Sequence, residues 1–268
     1  AASDVYKRQA HYETKLQQAN ETTQVFDHSF FNEIEKQPIE TLYEKSKIKS
    51  KVFADGKSFE PENVNLFGLI DEGVHYTSGC DTREGIYPLC DQMLLPSYSL
   101  AKSLAGTLGI ALIENEYDKI SDLVVEDLVK ECKGKKWRDV KVEDLSDMAT
   151  GNFFSSTFDI DEAGLKQMRF IFDAPTDAKK IELACNAYPR KSKPGTRFVY
   201  HTSDTYILGK ALNSFLAKNT DIDDYYSDLL IPFFKDLKLS YAPSSTLKTE
   251  GDIKPVSYTH LTLPTTDR

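Results

Sequence analysis

The sequence predicts a mixed α/β protein in which strands precede Ser99 and helices follow it. Three observations lead there. Residues 65–77 read as a strand, with Leu66, Leu69, Ile70 and Val74 around an Asp71-Glu72-Gly73 turn. From Ser99 onward the apolar residues switch to helical spacing. The chain has 268 residues and is 40% hydrophobic and 11% aromatic, enough to bury a core.

Taken in order, residues 10–50 are polar with apolar Phe30, Phe31, Ile34, Ile39 and Leu42. This stretch reads as a helix interrupted at Pro38, which has no backbone N–H to donate. That strand follows, then a turn-rich Gly79–Leu89 that returns as a second strand, and a break at Pro96. Beyond Ser99, residues Leu100, Leu104, Leu108, Ala111 and Leu112 form one apolar helix face. Ala101, Ala105, Ile110 and Ile113 make the other face apolar too, so this helix is expected to be buried all round. Short helices are expected at 120–129 and 140–148, and longer ones at 161–172 and 178–187. Ser192–Gly195 reads as a basic turn. Ile207, Leu208, Ala211, Leu212 and Phe215 make a helical stripe over 204–218, and 225–237 reads as a helix broken near Pro232.

Charge excludes some functions. With 42 Asp and Glu against 33 Lys and Arg, the net charge is -9, which opposes a phosphate backbone. No nucleic-acid partner is therefore expected, and the Lys133–Lys136 cluster reads as a solvated loop. No apolar run approaches the ~20 residues of a membrane-spanning helix.

Both ends look foreign to the rest. Asp4–Gln9 can be encoded by GAT GTG TAT AAG AGA CAG, and Val256–Leu261 by GTC TCT TAT ACA CAT CTG. Through the first base of the Leu261 codon, the second string lies within the reverse complement of the first. Residues 1–9 and 256–268 thus resemble translated transposase-end adapter DNA and are set aside from fold reasoning. The expected natural segment is 10–255, which carries 40 acidic and 30 basic residues. Both natural termini are then expected to lie beyond it.

The chemistry signal is a Ser-x-x-Lys spacing. On a helix it places both side chains on one face. A serine hydroxyl needs a nearby base to become a nucleophile, and a lysine is a base only when its proton has been displaced. The spacing occurs at Ser46/Lys49, Ser99/Lys102 and Ser245/Lys248, but only Ser99/Lys102 opens an apolar helix.

Three segments then share one resemblance. They are Pro96–Asn115, with Ser99-Leu-Ala-Lys102; Trp137–Asn152, with Leu145-Ser-Asp-Met148-Ala-Thr150-Gly151; and Lys193–Leu212, with Tyr200-His201-Thr202. In this order they resemble the nucleophile helix, the Leu-x-x-Met-x-[ST]-Gly turn and the Tyr-x-[NS] segment of the β-lactamase-related serine hydrolases. That superfamily includes class C β-lactamases, penicillin-binding DD-peptidases, esterases and 6-aminohexanoate-dimer hydrolases. The resemblance spans roughly Leu66–Leu237. It implies a β-lactamase/transpeptidase-like fold, with an antiparallel sheet flanked by helices and a helical subdomain. On that scheme 10–113 starts the α/β part, 114–237 is the helical subdomain and 238–255 returns toward the sheet.

The resemblance implies Ser99 as the acylated nucleophile, Lys102 as its base and Tyr200 as the proton shuttle. Thr202 stands where the family carries Asn or Ser and, with His201, is a candidate substrate contact. Thr lacks a carboxamide's separate donor and acceptor, which favours an esterase or amidase over a β-lactamase. The family's third motif, Lys- or His-x-Gly, is absent, and with it the last strands and the second oxyanion donor. They are expected beyond residue 255, so the chain as written is expected to be incompetent in turnover. The substrate class is a small-molecule ester or amide, with no cofactor. The alternative is a non-catalytic ligand-binding or structural protein on the same fold.

Other residues read more plainly. His201 also reads as a hydrogen-bonded structural histidine. His11, His28 and His75 show no ligand spacing, so no metal site is expected. Cys80 and Cys90 flank a turn and fit either a hairpin disulfide in an exported protein or two reduced thiols. A periplasmic or extracellular location is favoured. Cys132 and Cys185 read as separate core or surface thiols, and Trp137, Tyr225 and Tyr226 as packing residues.

Overall fold

The computed structural model describes residues 34–46, 64, 66–82, 85–87, 99–117, 119–174 and 176–239. The two adapter-like ends, Lys49, Pro96, Ser245 and Lys248 lie outside the described residues. Those described divide into two compact units, one from 34–87 with 235–239, the other from 99–234. They form a mixed α/β structure with small sheets.

In the first unit, strand β1 (Glu35–Pro38) runs directly into helix α1 (Ile39–Ser46). Pro38 therefore ends a strand rather than interrupting a helix, which corrects the reading of 10–50 where the structure describes it. Among the described residues β1 is an edge strand, where a missing N–H is tolerated. The stretch read as one strand divides at its Asp71-Glu72-Gly73 turn, and strands β2 (Gly68–Asp71) and β3 (Val74–Thr77) pair across it as a hairpin. Its loop residues Glu72 and Gly73 both have positive φ, 49° and 81°. Two-residue hairpin loops need that geometry to match the twist of their strands. The hairpin leaves one edge of β3 open, and β1 fills it in the parallel sense, so this small sheet is mixed rather than antiparallel. Ile39, Leu42 and Tyr76 are buried together, with Tyr43, Phe67 and Val74 packed against them. Strands β4 (Asp81–Thr82) and β5 (Gly85–Ile86) pair in the turn-rich stretch.

The second unit is helical. A π-helical segment (Lys102–Thr107) continues into α2 (Leu108–Glu116). Then come α3 (Val125–Leu128), α4 (Val142–Ser146), α5 (Leu165–Met168) with a π-helical extension (Arg169–Asp173), and α6 (Asp177–Asn186). Helix α7 (Thr202–Asn219) is followed by a π-helical turn (Tyr226–Leu230) and α8 (Ile231–Asp236). The change from π to α register falls just before Pro232, where the chain was expected to break.

Helix α7 is the centre of this unit and packs against α3, α4, α6 and the π-helical segment before α2. Its predicted stripe is buried, joined by Tyr206 and Leu216. The helix after Ser99 is not buried all round. Ala101, Ala105, Gly106, Gly109, Ile110 and Ile113 face inward, whereas Leu100 is 59% exposed. The inward face is the one built from the smaller residues. At Gly106 an added Cβ would lie 3.0 Å from Leu208, and at Gly109 2.9 Å from Leu212 and from the Tyr225 ring. Two α7 leucines therefore sit in notches that glycine leaves open.

Cys132 and Cys185 form a disulfide, correcting their reading as separate thiols. Both are fully buried, and the Trp137 indole N–H donates to the Cys185 carbonyl at 2.9 Å. The 53-residue separation leaves no local spacing signal for this pairing. Cys80 is also disulfide-bonded, and Cys90 lies outside the described residues.

Candidate active site

Ser99 stands at the start of the helix, with the Lys102 N–H donating to its carbonyl at 3.0 Å. One turn therefore separates the two side chains, and the Lys102 Nζ lies 3.4 Å from the Ser99 Oγ. The Tyr200 hydroxyl reaches the same Oγ from 101 residues away in a short hydrogen bond. The Lys102 Nζ also lies over the Tyr200 ring, 4.9 Å from its centroid. Ser99, Lys102 and Tyr200, placed together by the family resemblance, thus converge on one oxygen. The helical widening at Lys102–Thr107 begins at this lysine. Single π turns are rare in helices and recur at functional sites.

The second motif explains how Tyr200 is aimed. In Leu145-Ser-Asp-Met148-Ala-Thr150-Gly151, the Met148 carbonyl accepts the Val199 N–H at 2.9 Å, one residue before Tyr200. The Ala149 carbonyl accepts the Gly195 N–H at 2.8 Å, and the Gly151 carbonyl accepts the Lys191 N–H at 2.8 Å. The turn is a cradle for residues 191–199. Gly151 has φ 76°, and a Cβ there would collide with the Ser192 carbonyl oxygen. Gly151→Ala is expected to lower stability by roughly 2–3 kcal/mol, from left-handed strain plus a backbone clash. Urea unfolding measures it; a loss below ~1 kcal/mol would mean the cradle relaxes freely.

Thr202 and His201 are buried and turn away from the solvent. Glu162 accepts both the Thr202 N–H, at 2.8 Å, and its hydroxyl in a short hydrogen bond. The His201 ring stacks on Tyr188, with centroids 4.2 Å apart and planes 3° from parallel. Its Nε2 lies 3.2 Å from Asp161 and its Nδ1 3.6 Å from Asp204. Burial alone lowers the affinity of this imidazole for a proton, but Asp204 and Asp161 outweigh it and raise the pKa.

A small recess beside Tyr200 is lined by Ser156, Thr157, Phe158, Phe198, Val199 and Tyr200. Sequence reasoning did not single out Phe158, Phe198, Asp161 or Glu162. None has a local spacing signal, because each gains its place from the packing of residues 153–162 on the Tyr200 segment. Of the other two Ser-x-x-Lys spacings, only Ser46 lies within the described residues. Ser46 ends α1 with its hydroxyl donated to the Leu42 carbonyl in a short hydrogen bond. Among the described residues no group of three or more His, Cys, Asp or Glu could hold a metal ion, and no helix is long and apolar enough to cross a membrane.

No family model matches the chain. No curated protein matches it either. Among solved structures it is similar to "Putative 6-aminohexanoate-dimer hydrolase from Bacillus anthracis", at 14% identity and a TM-score of 0.44. The match covers 73% of this chain and 47% of that one, so the chain spans about half the length of that structure.

Proposed function

We propose that this chain carries the nucleophile centre of a β-lactamase-related serine hydrolase that cleaves an ester or amide through an acyl-enzyme on Ser99. The observation that supports it most is the convergence of Lys102 and Tyr200 on the Ser99 Oγ. In this reading the Oγ attacks the substrate carbonyl carbon and its proton enters the Lys102–Tyr200 pair. The C–O or C–N bond then breaks as Tyr200 returns that proton to the leaving group. Water, deprotonated by the same pair, releases the acid and restores the serine. Lys102 and Tyr200 act as one coupled unit, since both touch the same oxygen. The Ser99 backbone N–H supplies one oxyanion donor.

The buried Cys132–Cys185 disulfide supports an oxidising compartment, periplasmic or extracellular. Treatment with a fluorophosphonate followed by peptide mapping is expected to find one covalent adduct, on Ser99. The readout is a single adduct rather than turnover, so it does not depend on deacylation. No adduct on Ser99, under conditions that label a control serine hydrolase, would sink the enzyme reading. One observation favours the alternative of a ligand-binding protein on the same fold. Both polar groups of Thr202 are already engaged by Glu162, leaving no donor at that position for a substrate.

A further inference from the structure

The residue after Tyr200 is a histidine enclosed by carboxylates, and those carboxylates tie Tyr200 to the wall of the recess. Asp161 accepts the N–H groups of Phe154 and Ser155, at 2.8 and 3.0 Å, and also faces the His201 Nε2. One carboxylate thus joins the loop that carries Ser156–Phe158 to the segment that carries Tyr200. Across the ring, Asp204 projects from the first turn of α7. Tyr188, at the end of α6, closes one face of the ring and donates its hydroxyl to the Asp161 carbonyl at 3.1 Å. Glu162 sits one residue beyond Asp161 and grips Thr202. Among the described residues, Asp161, Asp204, Tyr188 and Glu162 all lie about the imidazole or the residue next to it. His201, Asp161 and Asp204 are all at most 5% exposed.

A neutral imidazole has one N–H, so with a carboxylate at each nitrogen it would aim a lone pair at a buried anion. Only the imidazolium presents a proton to both. The Asp204 side is the loose one. At 3.6 Å the His201 Nδ1 and the Asp204 Oδ2 attract but do not hydrogen-bond, and neither atom has another hydrogen-bond partner among the described residues. Tyr200 itself is pinned on both sides, by Val199 to Met148 and by Thr202 to Glu162. The His201 side chain adds an anchor of this segment whose strength depends on a ring proton.

We propose that His201, held as an imidazolium between Asp161 and Asp204, is a positioning residue that keeps Tyr200 and the 153–158 loop in register with Ser99 and releases them when it deprotonates. The inference rests on the hydrolase reading of Ser99, Lys102 and Tyr200. The sign follows from the raised His201 pKa. The stabilisation is complete below the ordinary histidine range near 6.5 and is lost as pH rises through the elevated folded value. Burial raises the Asp204 carboxyl, so Asp204 faces the ring as an anion only above its own elevated value, and the ion pair holds between that value and the His201 one.

Two measurements on the intact protein test this. Long-range proton–nitrogen spectra follow the ring nitrogens of its five histidines across pH, with His201→Gln assigning the signal. One ring is expected to keep both nitrogens protonated after the others have lost a proton, and Asp204→Asn is expected to move that titration to lower pH. All five rings titrating together, or no movement in Asp204→Asn, overturns the proposal. If His201→Gln does not fold, Asp204→Asn alone assigns the ring by which signal moves.

The second measurement is the rate of fluorophosphonate labelling of Ser99 against pH. Its alkaline fall is expected to move to lower pH in Asp204→Asn, reaching a loss on the order of 10²-fold where Tyr200 is displaced by ~1 Å. An unmoved alkaline limb overturns the positioning role even if the ring behaves as expected. No labelling at any pH in the unaltered protein overturns the hydrolase reading and with it the role given to Tyr200. The ring titration then still decides whether His201 is held charged.

Discussion

Tyr200→Phe is expected to slow covalent labelling of Ser99 by about 10²–10⁴-fold, the usual contribution of a positioned proton-transfer group. The substitution removes one oxygen, the one that reaches the Ser99 Oγ. It leaves the ring beneath the Lys102 Nζ and between Phe158 and Phe198, whose centroids lie 6.3 and 6.5 Å away. Folding should therefore survive, because Tyr200 is half-buried and its backbone neighbours supply the anchors. Labelling rates at fixed pH, with unfolding curves beside them, separate loss of chemistry from loss of structure. A Phe variant labelled at the unaltered rate would place Tyr200 outside the reaction. Lys102→Met gives a companion measurement. If the two act as one unit, the double variant should lose little more than the worse of the single ones.

Replacing both Cys132 and Cys185 with Ala is expected to lower stability by about 4 kcal/mol in the chain-entropy model, given the 53-residue loop that the bridge closes. The double variant is the cleaner one, since a single change leaves a buried thiol without its partner. Alanine adds no polar group to a site where both cysteines are shielded from solvent. The Trp137 to Cys185 hydrogen bond uses the backbone carbonyl and is not removed. The denaturation midpoint should fall and the denaturant slope should rise, because the unfolded chain without the bridge is less compact. A loss below ~1 kcal/mol would show that the cross-link does not constrain the unfolded chain. The bridge ties the loop after α3 to α6, and α6 packs on α7, the helix that follows Tyr200. Loosening there is expected to reach the site through α7.

Local features were readable from the chain alone. The Asp71-Glu72-Gly73 turn follows from chemistry within three residues, although the string did not tell that the chain reverses there into a second strand. The stripe over Ile207, Leu208, Ala211, Leu212 and Phe215 follows from helical periodicity, and it is the core of the second unit. Periodicity did not tell which face of the Ser99 helix turns inward. Both faces are apolar, and the decision came from Leu208 and Leu212, which require the glycine side. Pro38 shows a similar limit. A proline rules out a helix interior but does not choose between a helix break and an edge strand, and the open edge of β3 made that choice.

The Ser99/Lys102 pairing belongs to the sequence by itself, because one helical turn suffices to bring i and i+3 together. The arrival of Tyr200 from 101 residues away, the Cys132–Cys185 bridge and the enclosure of His201 by Asp161 and Asp204 belong to the tertiary structure. The physical reason is range. Backbone hydrogen bonding and side-chain periodicity act over a few residues and leave a mark in the local string. Contacts between distant segments depend on which surfaces exclude water together, and no single stretch of the chain records that choice.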